Sequence, residues 1–292
     1  MGRIESEEST HMANVKPTLN IRTGPAGWLH PHWQGVIYPK VAPKGFHPLE
    51  FLAKRFDTVE INTNMHQPLR PELSHMWLDK AACNPNFQFT ARLARQFTHD
   101  RLLEPQAVTQ FCDGLRPLQK AGKLGAVAMQ FPWAFRYTEE NREFFIKLRR
   151  AFSEFPLVAE FRHASWMLDE ALGTLIDYRV GFVNIDQSEG VKAMPPTSFL
   201  TTAVGYVRLN GRQQRNWFQD FGAQAGDQTP VDYLYGPAEL AEWKQRIEHI
   251  TKFAPLTYVI FNNDGGGRSV VNALQMQAML KPRVDVLMPA AA

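Results

Sequence analysis

Val59-Glu60-Ile61-Asn62 alternates apolar and hydrogen-bonding side chains, and related segments recur along the chain. They are Phe87-Gln88-Phe89-Thr90-Ala91-Arg92, Ala159-Glu160-Phe161-Arg162, Val183-Asn184-Ile185-Asp186 and Val207-Arg208-Leu209-Asn210, with Val259-Ile260-Phe261-Asn262 ending on the same kind of polar residue. Strand side chains alternate faces, so each segment sends one set to each side of its sheet. One such strand would suit a sheet with a wet face. Strands buried by helices on both faces would read as continuous apolar runs instead. Six amphipathic strands separated by helical patterns therefore point to a closed ring with a polar lumen at one end.

Strand patterns fall at 20–24, 58–62, 87–92, 125–131, 157–162, 181–186, 204–210 and 256–262. Helical spacing lies between them: Leu49, Leu52, Ala53 and Phe56; then about 71–82; then Val108, Phe111, Leu115 and Leu118. It continues with Phe144, Leu148 and Phe152, with Leu168, Leu172, Leu175 and Ile176, with Leu240, Trp243, Ile247 and Ile250, and with Val271, Leu274 and Ala278. No helical period runs through 187–203, where Pro195-Pro196 argues against one. The fold class expected is α/β: an irregular (β/α)8 TIM-type barrel with a weak or missing helix after the sixth strand.

At 292 residues and 44% hydrophobic content the chain can bury a large core. A single barrel domain over 19–285 is expected, with 1–18 a disordered leader or tail whose join lies near His11-Met12. No run of 18 apolar residues occurs, so no membrane span is expected. Glu5, Glu7 and Glu8 give a start unlike a signal peptide's basic-then-apolar order. Cys83 and Cys112 fit no metal or redox spacing, which suits a reducing cytoplasm. A net charge of +3 favours an anionic partner only weakly and lends nucleic acid little support.

In such barrels the site lies at the carboxyl ends of the strands. Those ends carry Glu60, Asn62, Arg92, Gln130, Glu160, Arg162, His163, Asp186, Arg208, Asn210 and Asn262. Buried ion pairs add little net stability, so interior charges in this number point to function more than to structure. Glu60, Glu160 and Asp186 are the candidate acids or bases, and His163 is a further candidate base if the strand has ended before it. Arg162 shares a face with Glu160 and is expected to hold it, or a neighbouring acid, ionised. Asn62, Arg92, Gln130, Arg162, Arg208, Asn210 and Asn262 are the candidate substrate ligands.

Two loops add to this set. Gly265-Gly266-Gly267-Arg268-Ser269 joins the last strand to the last helix, where bare amides and a helix amino end suit an anion. Gly265, Gly266, Gly267 and Ser269, with Arg212 after the seventh strand, form the candidate phosphate site; a flexible turn with a capped helix is the plainer reading. Trp28 and Trp33, near Tyr38 in the loop after the first strand, would either stack on a ligand or plug the barrel's end. No metal or other cofactor is expected. Interleaved arginines repel a divalent cation, although one ion on Glu60, Glu160 or Asp186 is left open.

Taken in order, these words resemble the domain of unknown function 72 family (YecE-like). They are Gly27-Trp28, Trp33-x-Gly35, Tyr38-Pro39, Val59-Glu60-Ile61-Asn62, Phe87-x-Phe89, Thr98-His99, Gln130-Phe131-Pro132 and Glu160-Phe161-Arg162-His163-x-Ser165-Trp166. Val207-Arg208-Leu209, Phe261-Asn262-Asn263 and Asn272-Ala273 complete the set, over roughly residues 20–280. The resemblance implies a (β/α)8 barrel and no established reaction. The chain departs from the family pattern at Thr63-Asn64-Met65-His66, at Arg92 where a lysine is common, and at Asn210 where a histidine is frequent.

The expected function is that of a hydrolase or lyase acting on an anionic, phosphate-bearing substrate at the barrel mouth. Arg92, Arg162 and Arg208 would neutralise the anion, and Glu160 or Glu60 would act as base. The alternatives are a non-catalytic binder of an anionic metabolite or nucleic acid, and a glycosidase-like enzyme with paired carboxylates.

Overall fold

The computed structural model describes residues 20–62, 69–213 and 230–280. Eight parallel strands form the ring: β1 (Ile21–Pro25), β2 (Thr58–Ile61), β3 (Gln88–Arg92), β4 (Leu124–Gln130), β5 (Leu157–Glu160), β6 (Gly181–Asp186), β7 (Val204–Leu209) and β8 (Leu256–Phe261). The ladder runs β1-β8-β7-β6-β5-β4-β3-β2. Its two ends meet where Ala26 bridges Glu60 and the Gly27 amide donates to the Glu60 carbonyl at 2.8 Å. This is the irregular, nearly closed (β/α)8 barrel that the alternating strands imply.

Helices follow most strands: α1 (Pro48–Ala53), α2 (Pro71–Ala81), α3 (Arg95–Thr98), α4 (Pro105–Lys120), α5 (Glu139–Ala151), α6 (Asp169–Asp177), α7 (Pro237–Thr251) and α8 (Arg268–Leu280). Their starts are written locally. Proline opens α1, α2, α4 and α7, where a missing N–H costs nothing. Thr138 caps α5, and Glu239 reaches back to the Gly236 amide at 2.8 Å to cap α7. Residues 187–203 contain no helix, as Pro195-Pro196 suggests. Among the described residues no helix is long and apolar enough to cross a membrane.

Two helical faces differ from expectation. In α8 the buried side chains are Ser269, Val270, Asn272, Ala273 and Met276, while Val271 and Leu274 face out. Asn272 turns that face inward, since its side-chain oxygen accepts from the Tyr235 amide at 3.0 Å and from Asn263 at 2.8 Å, which apolar spacing alone does not reveal. In α6 the same happens at Ile176, which is exposed while Ala171, Thr174 and Leu175 are buried. The four-residue α3 is too short to show a period and was not anticipated.

Register decides which side chains enter the lumen. Glu60 pairs with Thr90, Gln130 with Glu160, and Ile185 with Arg208, and paired residues of parallel strands point the same way. Glu60, Thr90, Arg92, Gln130, Glu160, Tyr206 and Arg208 therefore face inward. Asp186 pairs with Leu209 and faces the helical layer. Outside the ring, Phe161 stacks on Trp166 at 3.8 Å between centroids, and Phe131 and Phe135 extend the parallel stack. The Trp166 indole donates to the Phe135 carbonyl at 2.7 Å. This aromatic clamp fixes the end of β5 and so aims Glu160 inward.

Candidate functional site

The upper lumen holds a buried ionic lattice centred on Arg208. Its Nε lies 3.2 and 3.3 Å from the two Glu60 oxygens, and its Nη2 lies 3.0 Å from Glu60 Oε1. The same guanidinium donates through Nη1 to Glu160 Oε2 at 3.1 Å and to Asn210 Oδ1 at 2.8 Å. Arg162 meets the other Glu160 oxygen at 2.7 Å. Asn262 donates to Asn210 at 3.1 Å, and the Tyr206 hydroxyl donates to Glu60 at 2.9 Å. Carboxylates from β2 and β5, 148 and 48 positions away in the chain, thus converge on the one guanidinium of β7.

Above this floor the rim is half-open. Asn62, Arg92, Gln130 and Asn262 are partly exposed, while Glu60, Glu160, Arg162, Arg208 and Asn210 are buried beneath them. Arg92 donates to Gln130 across the β3–β4 pair. Among the described residues, three guanidiniums, Arg92, Arg162 and Arg208, gather around the carboxylates of Glu60 and Glu160. Burial and the charge of Arg208 lower the Arg92 pKa to about 9, against the pull of Glu60 and Glu160, and leave it cationic at neutral pH. Burial alone would raise the Glu160 carboxyl, but Arg162, Arg208 and Arg92 outweigh it and hold it below its ordinary value. Glu160 is therefore an ionised carboxylate with its lone pairs engaged, a poor base while the lattice is intact.

His99 lies outside any strand pattern, so it can reach the site only if the chain after β3 folds back toward it. The short helix α3 ends at this residue, close enough to the lattice for its ionisation to respond to Arg95, Arg92, Arg162 and Glu160. Burial and those arginines depress its pKa to about 3, so the imidazole is neutral near pH 7. Its Nδ1 lies 2.9 Å from Thr98 Oγ1. The only signal was the Thr98-His99 word shared with the resembled family, because no strand pattern covers it.

Several expected members lie elsewhere. Asp186 belongs to a separate network outside the ring, with Arg212 Nε at 2.9 Å and Arg212 Nη1 passing on to Glu239 at 3.1 Å. Burial raises the Asp186 carboxyl despite the hydrogen bonds from Arg212 and Tyr235. Arg212 is thereby committed to Asp186 and Glu239 rather than to the glycine loop. His163 caps the 3-10 turn Ala164–Met167: its Nδ1 accepts from the Ser165 amide at 3.1 Å and lies 2.8 Å from Ser165 Oγ. Its acceptor nitrogen is thus used locally, which argues against a base.

Trp28 and Trp33 are fully buried, so neither presents an open face for a ligand to stack on. Trp28 packs edge-on against Trp77 at 5.2 Å, and the Trp33 indole donates to the Asp264 carbonyl at 2.8 Å. The glycine loop offers little to an anion. Gly265 and Gly267 are buried, and their amides donate to the Val231 and Asp264 carbonyls at 3.0 and 3.1 Å. Ser269 is wholly buried within α8, not at an accessible cap. The neighbouring Asp264 carboxylate would also repel a phosphate. The departure at Thr63-Asn64-Met65-His66 lies outside the described residues.

The family model described as "Protein of unknown function DUF72" matches residues 22–292. The chain belongs to the DUF72 family. A curated relative of this DUF72 chain, UPF0759 protein YunF of Bacillus subtilis (strain 168), is 24% identical over 283 residues, covering 92% of this chain and 98% of the relative. A solved DUF72 family protein from Thermotoga maritima MSB8 is 28% identical with a TM-score of 0.76, covering 90% of this chain and 100% of that one. Another, from Enterococcus faecalis V583, is 24% identical with a TM-score of 0.74, covering 93% and 99%. The solved structures share the barrel, and none of these names specifies a reaction.

Proposed function

We propose that the barrel mouth binds a small phosphate-bearing anion and that the protein is a hydrolase or lyase acting on it. The observation that carries this reading is the convergence at the mouth of three guanidiniums, Arg92, Arg162 and Arg208, with Arg92 partly exposed beside Gln130. A cation in a poorly solvated site is costly unless an anion offsets it. Arg92 and Arg162 would hold the anion, with Asn62, Gln130 and Asn262 supplying neutral hydrogen bonds. Its charge would compete with Glu160 for the arginines, raising the proton affinity of both Glu160 and His99. Either group then becomes a base or acid only when substrate is present.

The glycosidase reading is less favoured, because both carboxylates are buried and share Arg208 rather than flanking an open cleft. Calorimetric titration of the full chain with inorganic phosphate, pyrophosphate and a simple phosphomonoester tests the proposal. Arg92→Gln is expected to weaken binding by about tenfold or more, the worth of a charge-assisted hydrogen bond. Equal affinity in the variant would remove the mouth as the anion site.

A further inference from the structure

The loop that fails as a phosphate cradle has the chemistry of a cation site. His30, His32 and Asp264 place one ligand atom each within 4.8 Å of one another. His30 Nδ1 lies 3.3 Å from Asp264 Oδ2, and His32 Nε2 lies 3.8 Å from the same oxygen. The three come from the loop after β1 and the turn after β8, beside the seam that closes the barrel.

Proton bookkeeping sharpens this. His30 Nε2 lies 3.0 Å from the Ala26 carbonyl oxygen. A carbonyl only accepts, so Nε2 must carry the ring proton. A neutral His30 then turns the bare Nδ1 lone pair toward Asp264 Oδ2, and two acceptors at 3.3 Å need a cation between them. That cation is either a second proton on His30 or a metal ion. Metal-bound histidines characteristically donate their other nitrogen to a backbone carbonyl, which is the arrangement of His30.

The carboxylate is equally well held. Asp264 Oδ1 accepts the Val231 amide at 3.0 Å, which leaves Oδ2 aimed at the histidines. His32 Nε2 now rests 2.9 Å from the Asp264 carbonyl, but that carbonyl also receives the Trp33 indole at 2.8 Å. The His32 ring can therefore turn without stranding a buried acceptor, and to ligate through Nε2 it must move the ring proton that this contact places there to Nδ1. Pro31 and the buried Trp33 form a 3-10 turn that stiffens the His-Pro-His backbone. Bonds of about 2.0–2.1 Å in a tetrahedral site subtend a ligand–ligand edge of about 3.3 Å, which matches the His30–Asp264 edge and asks His32 to move in from 3.8 Å off Asp264 and from within 4.8 Å of His30.

We propose that His30, His32 and Asp264 bind a divalent first-row transition ion through His30 Nδ1, His32 Nε2 and Asp264 Oδ2. Two nitrogens and one carboxylate leave coordination positions open, and all three side chains are partly exposed to solvent. The site adjoins the anion pocket through Gly27, whose φ of +76° folds the chain so tightly that an added Cβ would sit 2.6 Å from Asn62 and 2.7 Å from His30. Asn62 is a rim residue, so an ion here would stand beside the arginines. The proposal does not depend on the anion reading, and its test uses metal alone.

The test titrates the full chain, stripped with chelator, with cobalt(II) at about pH 7.5. Wild type is expected to bind one equivalent with visible ligand-field bands and to melt at a higher temperature with metal than without. Asp264→Asn keeps the Val231 hydrogen bond and His32→Ala alters a partly exposed side chain, so both should fold. Each is expected to bind cobalt at least about tenfold more weakly. Thermal melts without metal verify that the variants are folded. No bands in wild type, meaning a proton bridges His30 and Asp264, would overturn the assignment; so would cobalt affinity unchanged in both folded variants.

Discussion

Glu160→Gln separates the structural and electrostatic roles of the buried lattice. The carboxylate meets Arg162 at 2.7 Å and Arg208 at 3.1 Å, with Asn210 at 3.4 Å. Its loss removes the carboxylate that Arg162 and Arg208 share. Breaking a buried ion pair costs about 3–5 kcal/mol, and the glutamine oxygen recovers part of it, so about 3 kcal/mol is expected at neutral pH. In a chain of this size that is a fall in melting temperature of about 6–12 °C. The Glu160 pKa is held below its unfolded value, so its contribution is full above that value and is lost as pH falls through the folded one. The gap between wild type and variant should therefore narrow as pH drops below about 4.

Anion affinity should move the opposite way. An anion seated one guanidinium away from Glu160, about 6 Å, is repelled by about 3 kcal/mol at an effective dielectric near 20, and less with water at the mouth. Inorganic phosphate should thus bind Glu160→Gln about tenfold more tightly than wild type, measured by calorimetry. Turnover, once a substrate is found, should be lost. A variant that melts like wild type, or binds phosphate more weakly, would refute the view of Glu160 as a buried competitor for the arginines.

Phosphate binding should draw a proton onto His99, because the arginines that depress it become partly neutralised. Calorimetry in two buffers should show uptake that grows as pH falls from about 7 toward about 5 and that disappears in His99→Gln; uptake unchanged in that variant would place the proton elsewhere. Asp186→Asn should destabilise by about 1–3 kcal/mol through the Arg212 network, seen in urea melts, while phosphate affinity stays within about twofold. A large change in affinity would mean that Asp186 communicates with the lumen.

The inward lattice was legible because β-strands give each side chain one of two faces. Glu60, Glu160, Arg162 and Arg208 all stand where alternation puts them. Asp186 shows the limit: Asn184 and Asp186 alternate as cleanly as Glu60 and Asn62 do, yet the register Asp186–Leu209 sends them outward. There Asn184 donates to the Phe199 carbonyl at 2.9 Å and accepts from Thr197 at 2.8 Å, pinning the helix-free connection. Period two reveals that two faces differ but not which one is inside. The His30-Pro31-His32 spacing was readable and was overlooked, whereas its partner Asp264, 232 residues from His32, was not.

Strand and helix periods, proline and capping residues sufficed to establish the barrel, since these depend on neighbours along the chain. The closing seam at Ala26 and Glu60, the placing of His99 close to the lattice, and the meeting of Asp264 with two histidines depend on contacts between distant segments. Local sequence carries no record of the distance or direction of such partners, so only the tertiary structure decides which charges meet and which amides remain available to a ligand.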